Sequence, residues 1–446
     1  MDIAVVGGGI SGVSAAYIIN KHTKHNVILI EKDQELGGKS KTIHDSGYTI
    51  EMGSNGFLDN KEEILKLVEE SNFEGNIIQS RDESRRRFIF SDGRLFELPE
   101  NSVKLLFSNF LTLKGKLGFI KEPFVPMLKF DETLEHFVLR RLGREILNKL
   151  IGPMSIGVYA GDPSKMSMDA TFSRIKEIER KYGSLTKGLF KLMREKKANA
   201  NSASGPFSAK LLSFKQGLSS FISHLSKDIK IIHNYVSGIE SINNRFILKT
   251  TDKGSIEADA VVFAVPAYAL SDILSSYSSE LPKSLKEIEY APVTIAALGF
   301  DKHLMPDVVN SFGYLFDINA IEDTIGVLFD SSIFDYRADK NKLLVRVIIG
   351  GAMRKNSAYK DNIIEVAVRE LQRSAGIFAP FEYAKIIRHR YAIPQYGLEH
   401  KDILENINRF ETENPGLLIT GNAFYGVSLN DCVKSSYNIL ERIKHL

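Results

Sequence analysis

A mixed α/β fold is predicted for this chain: a parallel nucleotide-binding sheet, interrupted by an antiparallel-sheet domain and a helical domain. Three observations predict it. The chain opens with an apolar strand that runs into three glycines. The residues after those glycines read first as helix and then as a second strand, so the opening is a βαβ unit. A short apolar strand ending at Gly421 stands near the other end of the chain, before a last helix.

The elements follow in order. Ile3–Val6 is the first strand, a helix runs from about Ser11 to Asn20, and Val27–Glu31 is the second strand. Ile64 to Glu70 carries apolar residues at helical spacing. Arg87–Phe90 and Leu95–Leu98, joined by Ser91-Asp92-Gly93-Arg94, read as a hairpin. From about Ser102 to Lys197 the pattern is mostly helical, and Gly205-Pro206 marks a loop. A helix near Leu218 to Leu225 leads to strands at Ile229–Ile232, Arg245–Thr250 and Ala260–Ala264. Apolar runs at Val293–Phe300, Thr324–Phe329 and Leu343–Ile349 predict a second, largely antiparallel sheet, and Leu417–Thr420 is the last strand. This order assigns residues 1–80, 208–284 and 401–446 to the nucleotide domain. Residues 81–100 with 285–400 form the substrate-binding domain, and residues 101–207 the helical domain.

Composition narrows the function. With 446 residues, the chain is too long for one simple core. Hydrophobic residues at 43% and charged residues at 25% are those of an ordinary globular protein. A net charge of +3 gives no case for nucleic-acid binding. The single cysteine, Cys432, excludes an internal disulfide and a thiolate metal cluster, so a reducing, cytoplasmic compartment is expected. The histidines show no paired-ligand spacing, and no metal is expected. The apolar start lacks a basic leader region and is not read as a signal peptide. No segment has about 18 unbroken apolar residues, so no membrane-spanning helix is expected.

Gly7, Gly9 and Gly12 fit G-x-G-x-x-G. The first makes the tight turn, the second lets backbone approach a pyrophosphate, and the third lets helix and strand pack closely. The helix start at Ile10 and Ser11 then offers free N–H groups to phosphate. Glu31, at the end of the second strand, stands where an acidic residue bonds ribose hydroxyls. Leu36-Gly37-Gly38-Lys39 comes next: two glycines bring backbone near a cofactor, and Lys39 can face its phosphates.

That Gly-Gly segment resembles FAD enzymes of the amine-oxidase and phytoene-desaturase superfamily, which implies a Rossmann-like FAD domain of the GR2 type and non-covalent FAD. Three later segments resemble the same superfamily: His233 to Val236, where Val236 backbone would meet the adenine; Ala258 to Pro266, with Ala264; and Leu418 to Asn422 before Gly426 to Cys432. Carried over residue by residue, the resemblance makes Gly7, Gly9, Ile10, Ser11, Gly12, Glu31, Lys32, Gly38, Lys39, Gly53, Ser54, Val236, Ala264, Gly421, Asn422, Gly426, Val427 and Ser428 cofactor-binding. Cys432 reads as a buried thiol in a helix's first turn rather than a flavin attachment point.

Three segments narrow the resemblance: Gly157 to Ser167, Ile393-Pro394-Gln395-Tyr396, and Gly426 to Cys432. They resemble the oxygen-dependent protoporphyrinogen and coproporphyrinogen III oxidases of haem biosynthesis. His400 stands where that family has a histidine, although Glu399 replaces the glycine often found before it. The resemblance implies flavin-centred chemistry with no catalytic side chain, a porphyrinogen as substrate and O2 as acceptor. It places Arg87 at a propionate, Gly157 carbonyl at a pyrrole N–H, and Phe312, Leu315, Leu328 and Ile348 in an apolar pocket. Arg85 and Arg87, on alternate positions of one strand, would share a face. A membrane surface and a second copy of the chain are further partners to weigh. Leu105 to Lys129 mixes apolar residues with lysines as interfacial segments do, and as a helical cap over the pocket also could. An amine oxidase or a carotenoid desaturase would share the nucleotide domain, and a non-catalytic flavoprotein would share the fold alone.

Overall fold

Five parallel strands form the sheet that opens the chain. In spatial order they are Lys230–His233, Asn26–Glu31, Asp2–Val6, Ala260–Phe263 and Leu417–Ile419, and every neighbouring pair is parallel. Strands this apolar need cover on both faces, and they have it. Ile3 and Val5 point into a core shared with helices Ile10–His22, Leu218–Ser226 and Leu429–Ile443. Ala4 and Val6 point the other way, into a core shared with helices Ala267–Leu274, Leu281–Lys286 and His400–Glu413. The computed structural model describes residues 1–99, 104, 108–198 and 209–446. The predicted start of the helical region at Ser102 and the predicted loop at Gly205-Pro206 lie outside them.

The second sheet has seven strands, in the order Phe381–Pro394, Tyr290–Asp301, Lys342–Gly350, Thr324–Leu328, Gly313–Phe316, Arg87–Ser91 and Arg94–Glu97. One neighbouring pair, Gly313–Phe316 beside Arg87–Ser91, is parallel and the rest are antiparallel. The predicted hairpin turns through Asp92 and Gly93, both at positive φ (51° and 76°), between the paired residues Ser91 and Arg94. That is the turn whose twist matches two antiparallel strands. The strand Phe381–Pro394 was not foreseen. It is the sheet's edge, and Glu382, Lys385, Arg388 and Arg390 stay exposed along it, so it shows no apolar alternation.

The helical region includes Leu113–Lys121, Leu134–Arg141, Gly152–Tyr159, Ser173–Tyr182 and Leu185–Ala198. Its interior is ionic as well as apolar. Arg141 is wholly buried, 2.6 Å from both Glu122 and Glu179. Lys176, also wholly buried, lies 2.6 Å from Glu132 and 2.8 Å from Glu179. Each buried charge is paired, as burial requires.

Candidate cofactor and substrate site

The carboxyl ends of the five parallel strands converge. Gly7 follows Asp2–Val6, Glu31 ends Asn26–Glu31, Ala264 follows Ala260–Phe263, and Gly421 lies just beyond Leu417–Ile419. Ligands of open α/β sheets bind at this edge. The glycine turn is built for close approach. At Gly7, φ is +110°, and a Cβ there would lie 2.6 Å from Ala264 O. A Cβ on Gly12 would lie 1.8 Å from Gly7 O, so that position holds helix against strand. A Cβ on Gly9 would meet nothing within 4 Å, although the residue caps the N-terminus of a buried helix. That space, fronting N–H groups at Ile10 and Ser11 that have no acceptor among the described residues, is the cradle a pyrophosphate needs, and the residues present fit the group. Glu31 is already oriented: its carboxylate accepts the Gly8 N–H at 2.5 Å and the Asp33 N–H at 3.0 Å.

Lys39 reaches the edge strand Phe381–Pro394. Its ammonium donates to Ala392 O at 2.6 Å and lies 5.1 Å from the Tyr290 ring centre. Burial pulls its pKa down to about 8. Lys32 is exposed beside Asp33. Val236 starts the strand Val236–Ile242 with its side chain in the core. Gly53 packs so closely that a Cβ would lie 2.4 Å from Lys39 O, and Ser54 beside it is exposed. In the final turn, the N–H of Gly426 goes to Tyr396 Oη at 2.9 Å. Ser428 caps the helix Leu429–Ile443 through a reciprocal pair of bonds with Asp431. Of the successive N–H groups of Gly426, Val427 and Ser428, that of Val427 is the one not committed to a protein acceptor among the described residues. The Cys432 thiol is buried, which pushes its pKa up to about 11.

The second sheet brings the proposed pocket positions to one face. Paired residues share a face, and so do residues two apart. Arg87 pairs with Gly313, and Gly313 with Leu328. Leu315 pairs with Gly326, and Gly326 with Ile348. Arg87, Leu315, Leu328 and Ile348 therefore lie together, and Arg87 is exposed while the three apolar residues are half-buried. The alternate residues of these strands, Tyr314, Phe316, Val327 and Val347, are fully buried. The face with Arg87 is exposed at that arginine and half-buried at Leu315, Leu328 and Ile348, and the opposite face is core. The Phe312 ring lies under the Arg87 guanidinium at 4.9 Å. Gly157 is in the last turn of helix Gly152–Tyr159, and a Cβ on it would lie 2.9 Å from Leu315.

One expectation is corrected. Arg85 does not share a face with Arg87, because it belongs to the turn Asp82–Arg85 and the strand begins at Arg87. Its guanidinium is held by Asp82 at 3.1 Å, and Arg86 is held by Glu97 and Asp307.

Sequence reasoning missed Arg346. It sits on the same face, paired with Leu328. It is wholly buried, bound to Asp330, and donates to Glu51 O at 2.7 Å and Gly53 O at 2.9 Å. It thus ties the second sheet to the segment Glu51 to Gly53. The signal was there: a charge inside the apolar run Leu343 to Ile349. His389 was missed too. Its Nε2 lies 2.6 Å from Met52 O, and burial lowers its pKa. Its immediate neighbours, Arg388 and Arg390, are both charged and gave no sign of that burial.

The family model for flavin containing amine oxidoreductases matches residues 10–442. A chloroplastic protoporphyrinogen oxidase 1 of Spinacia oleracea is 30% identical over 470 residues, covering 98% of this chain and 83% of that one. A coproporphyrinogen III oxidase of Bacillus subtilis is 26% identical over 455 residues, covering 97% of this chain and 95% of that one. A crystal structure from Exiguobacterium sp. 255-15, provisionally named a protoporphyrinogen oxidase, has the same fold, with a TM-score of 0.85 at 24% identity. The match covers 100% of this chain and 98% of that one.

Proposed function

We propose that this chain, which belongs to the flavin containing amine oxidoreductase family and has FAD as its cofactor, oxidises a porphyrinogen to the porphyrin with O2 as acceptor, in haem biosynthesis. The carrying observation is the sheet face where Arg87, Leu315, Leu328 and Ile348 lie together beside Gly157. A porphyrinogen is a large apolar ring system with carboxylates at its rim, and this face offers apolar surface with an arginine at one end.

Each side chain then has a role. FAD, when bound, supplies the redox chemistry by taking electrons in pairs. The six electrons removed leave in three such steps, and three O2 become three H2O2. Arg87 pairs its planar fork with a propionate. Phe312 beneath it holds the guanidinium in place. Leu315, Leu328 and Ile348 exclude water from the ring's apolar edge. The Gly157 carbonyl belongs to the last turn of its helix, where carbonyls lack intrahelical partners, so it is available to a pyrrole N–H. Arg85 is held by Asp82 and Arg86 by Glu97 and Asp307, and strand register is what puts Arg87 on the face with Leu315, Leu328 and Ile348. One arginine and an apolar face favour protoporphyrinogen, with two propionates and two vinyl groups, over the four-propionate coproporphyrinogen III.

The test is anaerobic mixing of the holoprotein with each porphyrinogen, followed by admission of O2. Flavin bleaching and then porphyrin fluorescence are expected, faster with protoporphyrinogen. Bleaching by a primary amine and by neither porphyrinogen would move the chain to amine oxidation.

Peripheral contact with the cytoplasmic side of a membrane is part of the same proposal. Gly115 and Gly118 pack helix Leu113–Lys121 tightly against Glu145 and Leu142. Leu113, Leu117, Ile120 and Phe124, at helical spacing, then face outward. Leu113 is 81% exposed and Phe124 is 84% exposed. Lys114, Lys121 and Lys129 are exposed among them, a pattern suited to an anionic interface. No helix of the described residues is long and apolar enough to cross a membrane. Flotation with anionic vesicles at low salt should carry the protein upward, and protein remaining at the bottom would refute the contact.

A further inference from the structure

Tyr396 lies just past the edge strand Phe381–Pro394, where three parts of the protein meet, and it is 2% exposed. Its hydroxyl accepts the Gly426 N–H at 2.9 Å and donates to Asn422 O at 2.6 Å. One oxygen therefore spans the turn between strand Leu417–Ile419 and helix Leu429–Ile443. The His400 ring stacks on the phenol, with centroids 4.0 Å apart and planes inclined by 18°. His400 Nε2 lies 3.0 Å from Phe424 O, inside the same turn. A carbonyl can only accept, so Nε2 carries the proton, and burial keeps the ring neutral by lowering its pKa. On the other side, Tyr396 O accepts the Ser167 N–H at 2.8 Å, and the Tyr159 ring stands edge-on at 6.2 Å. The helix that carries Gly157 is thus braced on the same tyrosine.

The consequence is electrostatic. Within the turn, the Gly426 N–H is spent on Tyr396 and the Ser428 N–H on Asp431. Between them the Val427 N–H stays uncommitted among the described residues, next to the orphan donors of the helix's first turn. Donors fixed before charge develops stabilise that charge without reorganising. Without its Tyr396 bond, the Gly426 peptide could rotate and carry the Val427 amide out of aim.

We propose that Tyr396 is a positioning residue: by clamping Asn422 O and Gly426 N–H it aims the Val427 N–H at the flavin, and so raises the flavin's reduction potential. The inference rests on reading this turn as a flavin contact, and it is tested without any porphyrinogen. The probe is the midpoint potential of flavin in the full-length holoprotein, measured against a reference dye, together with the melting temperature. Tyr396→Phe keeps the ring and the stack and removes only the oxygen. The potential should fall by at least a tenfold change in the two-electron equilibrium, about 30 mV, with FAD still bound. His400→Gln keeps the Tyr396 oxygen but loses the stack, and should shift the potential less, in the same direction. If Tyr396→Phe does not retain flavin, His400→Gln decides. An unchanged potential in the flavin-retaining variants, with only the melting temperature lowered, would show that Tyr396 merely packs. Because no substrate enters the measurement, a wrong substrate assignment would leave a positive result standing.

Discussion

Gly9 and Gly12 stand three residues apart in one motif, yet alanine should do different things at each. At Gly9 the backbone has φ −73° and ψ 176°, a conformation alanine adopts freely. Its added methyl would meet no protein atom within 4 Å. Replacing glycine restricts the unfolded chain and gains about 0.4–1 kcal/mol, while alanine is a poorer N-cap than glycine by a similar amount. The two offset, so the apoprotein should melt within about 2 °C of the parent. The methyl does occupy the space a pyrophosphate enters. Losing charge-assisted bonds from the helix start, at about 1.5–3 kcal/mol, would weaken FAD binding roughly 10- to 150-fold. At Gly12 the methyl carbon would lie 1.8 Å from Gly7 O, and helix and strand must part at a cost of about 1–3 kcal/mol or more. The assay is calorimetry of the apoproteins with FAD titration by fluorescence quenching. If Gly9→Ala binds FAD like the parent, the pyrophosphate does not approach there. If it melts far below the parent, the empty space beside Gly9 is not what the geometry says.

Four further outcomes are expected. Arg87→Ala should raise KM more than it lowers kcat, since a propionate contact is alike in ground and transition states; about 1.5–3 kcal/mol corresponds to roughly tenfold or more in kcat/KM, read by porphyrin fluorescence, and unchanged kinetics would remove Arg87 from the site. Burial alone would raise the pKa values of Glu122, Glu132 and Glu179, but hydrogen bonds from Ser184, from Arg140 and Lys176, and from Lys176, Arg140 and Arg141 respectively turn the net shift downward. Their contribution is therefore complete above an unfolded value of about 4.3 and is lost as pH falls through the lower folded values; protection of helices Leu134–Arg141 and Ser173–Tyr182 against hydrogen exchange, relative to the free-amide rate at the same pH, should fall below about pH 4, and an acid dependence no flatter in Glu132→Gln would count against the network. Cys432, buried with its pKa near 11, should react with a thiol reagent only on unfolding, and acid precipitation should leave the flavin in solution; colour in the pellet would mean a covalent bond.

The opening βαβ unit, its glycines and Glu31 were legible because their roles are local. Tight turns, helix starts and strand ends depend on neighbours a few residues away. The antiparallel sheet was legible as apolar runs, though not at its edge, where Phe381–Pro394 keeps charged residues in solvent. The strand parity that placed Arg85 beside Arg87 failed because a turn, Asp82–Arg85, ends just before the strand. Tyr396 and His400 stood in recognisable motifs, but nothing in those motifs says that a phenol closes a turn 26 and 30 residues further on.

Local sequence determined the cofactor cradle, since glycine spacing and the residues after it suffice to expose N–H groups to a phosphate. Tertiary structure alone decided the proposed substrate face. Arg87, Leu315, Leu328 and Ile348 come from four strands, and only register puts them on one side. It alone decided Arg346 as well, whose charge is tolerable in an apolar strand only because Asp330 and the carbonyls of Glu51 and Gly53 meet it there. Hydrogen-bond partners brought together across hundreds of residues leave no periodic trace in sequence, whereas turns and helix starts do.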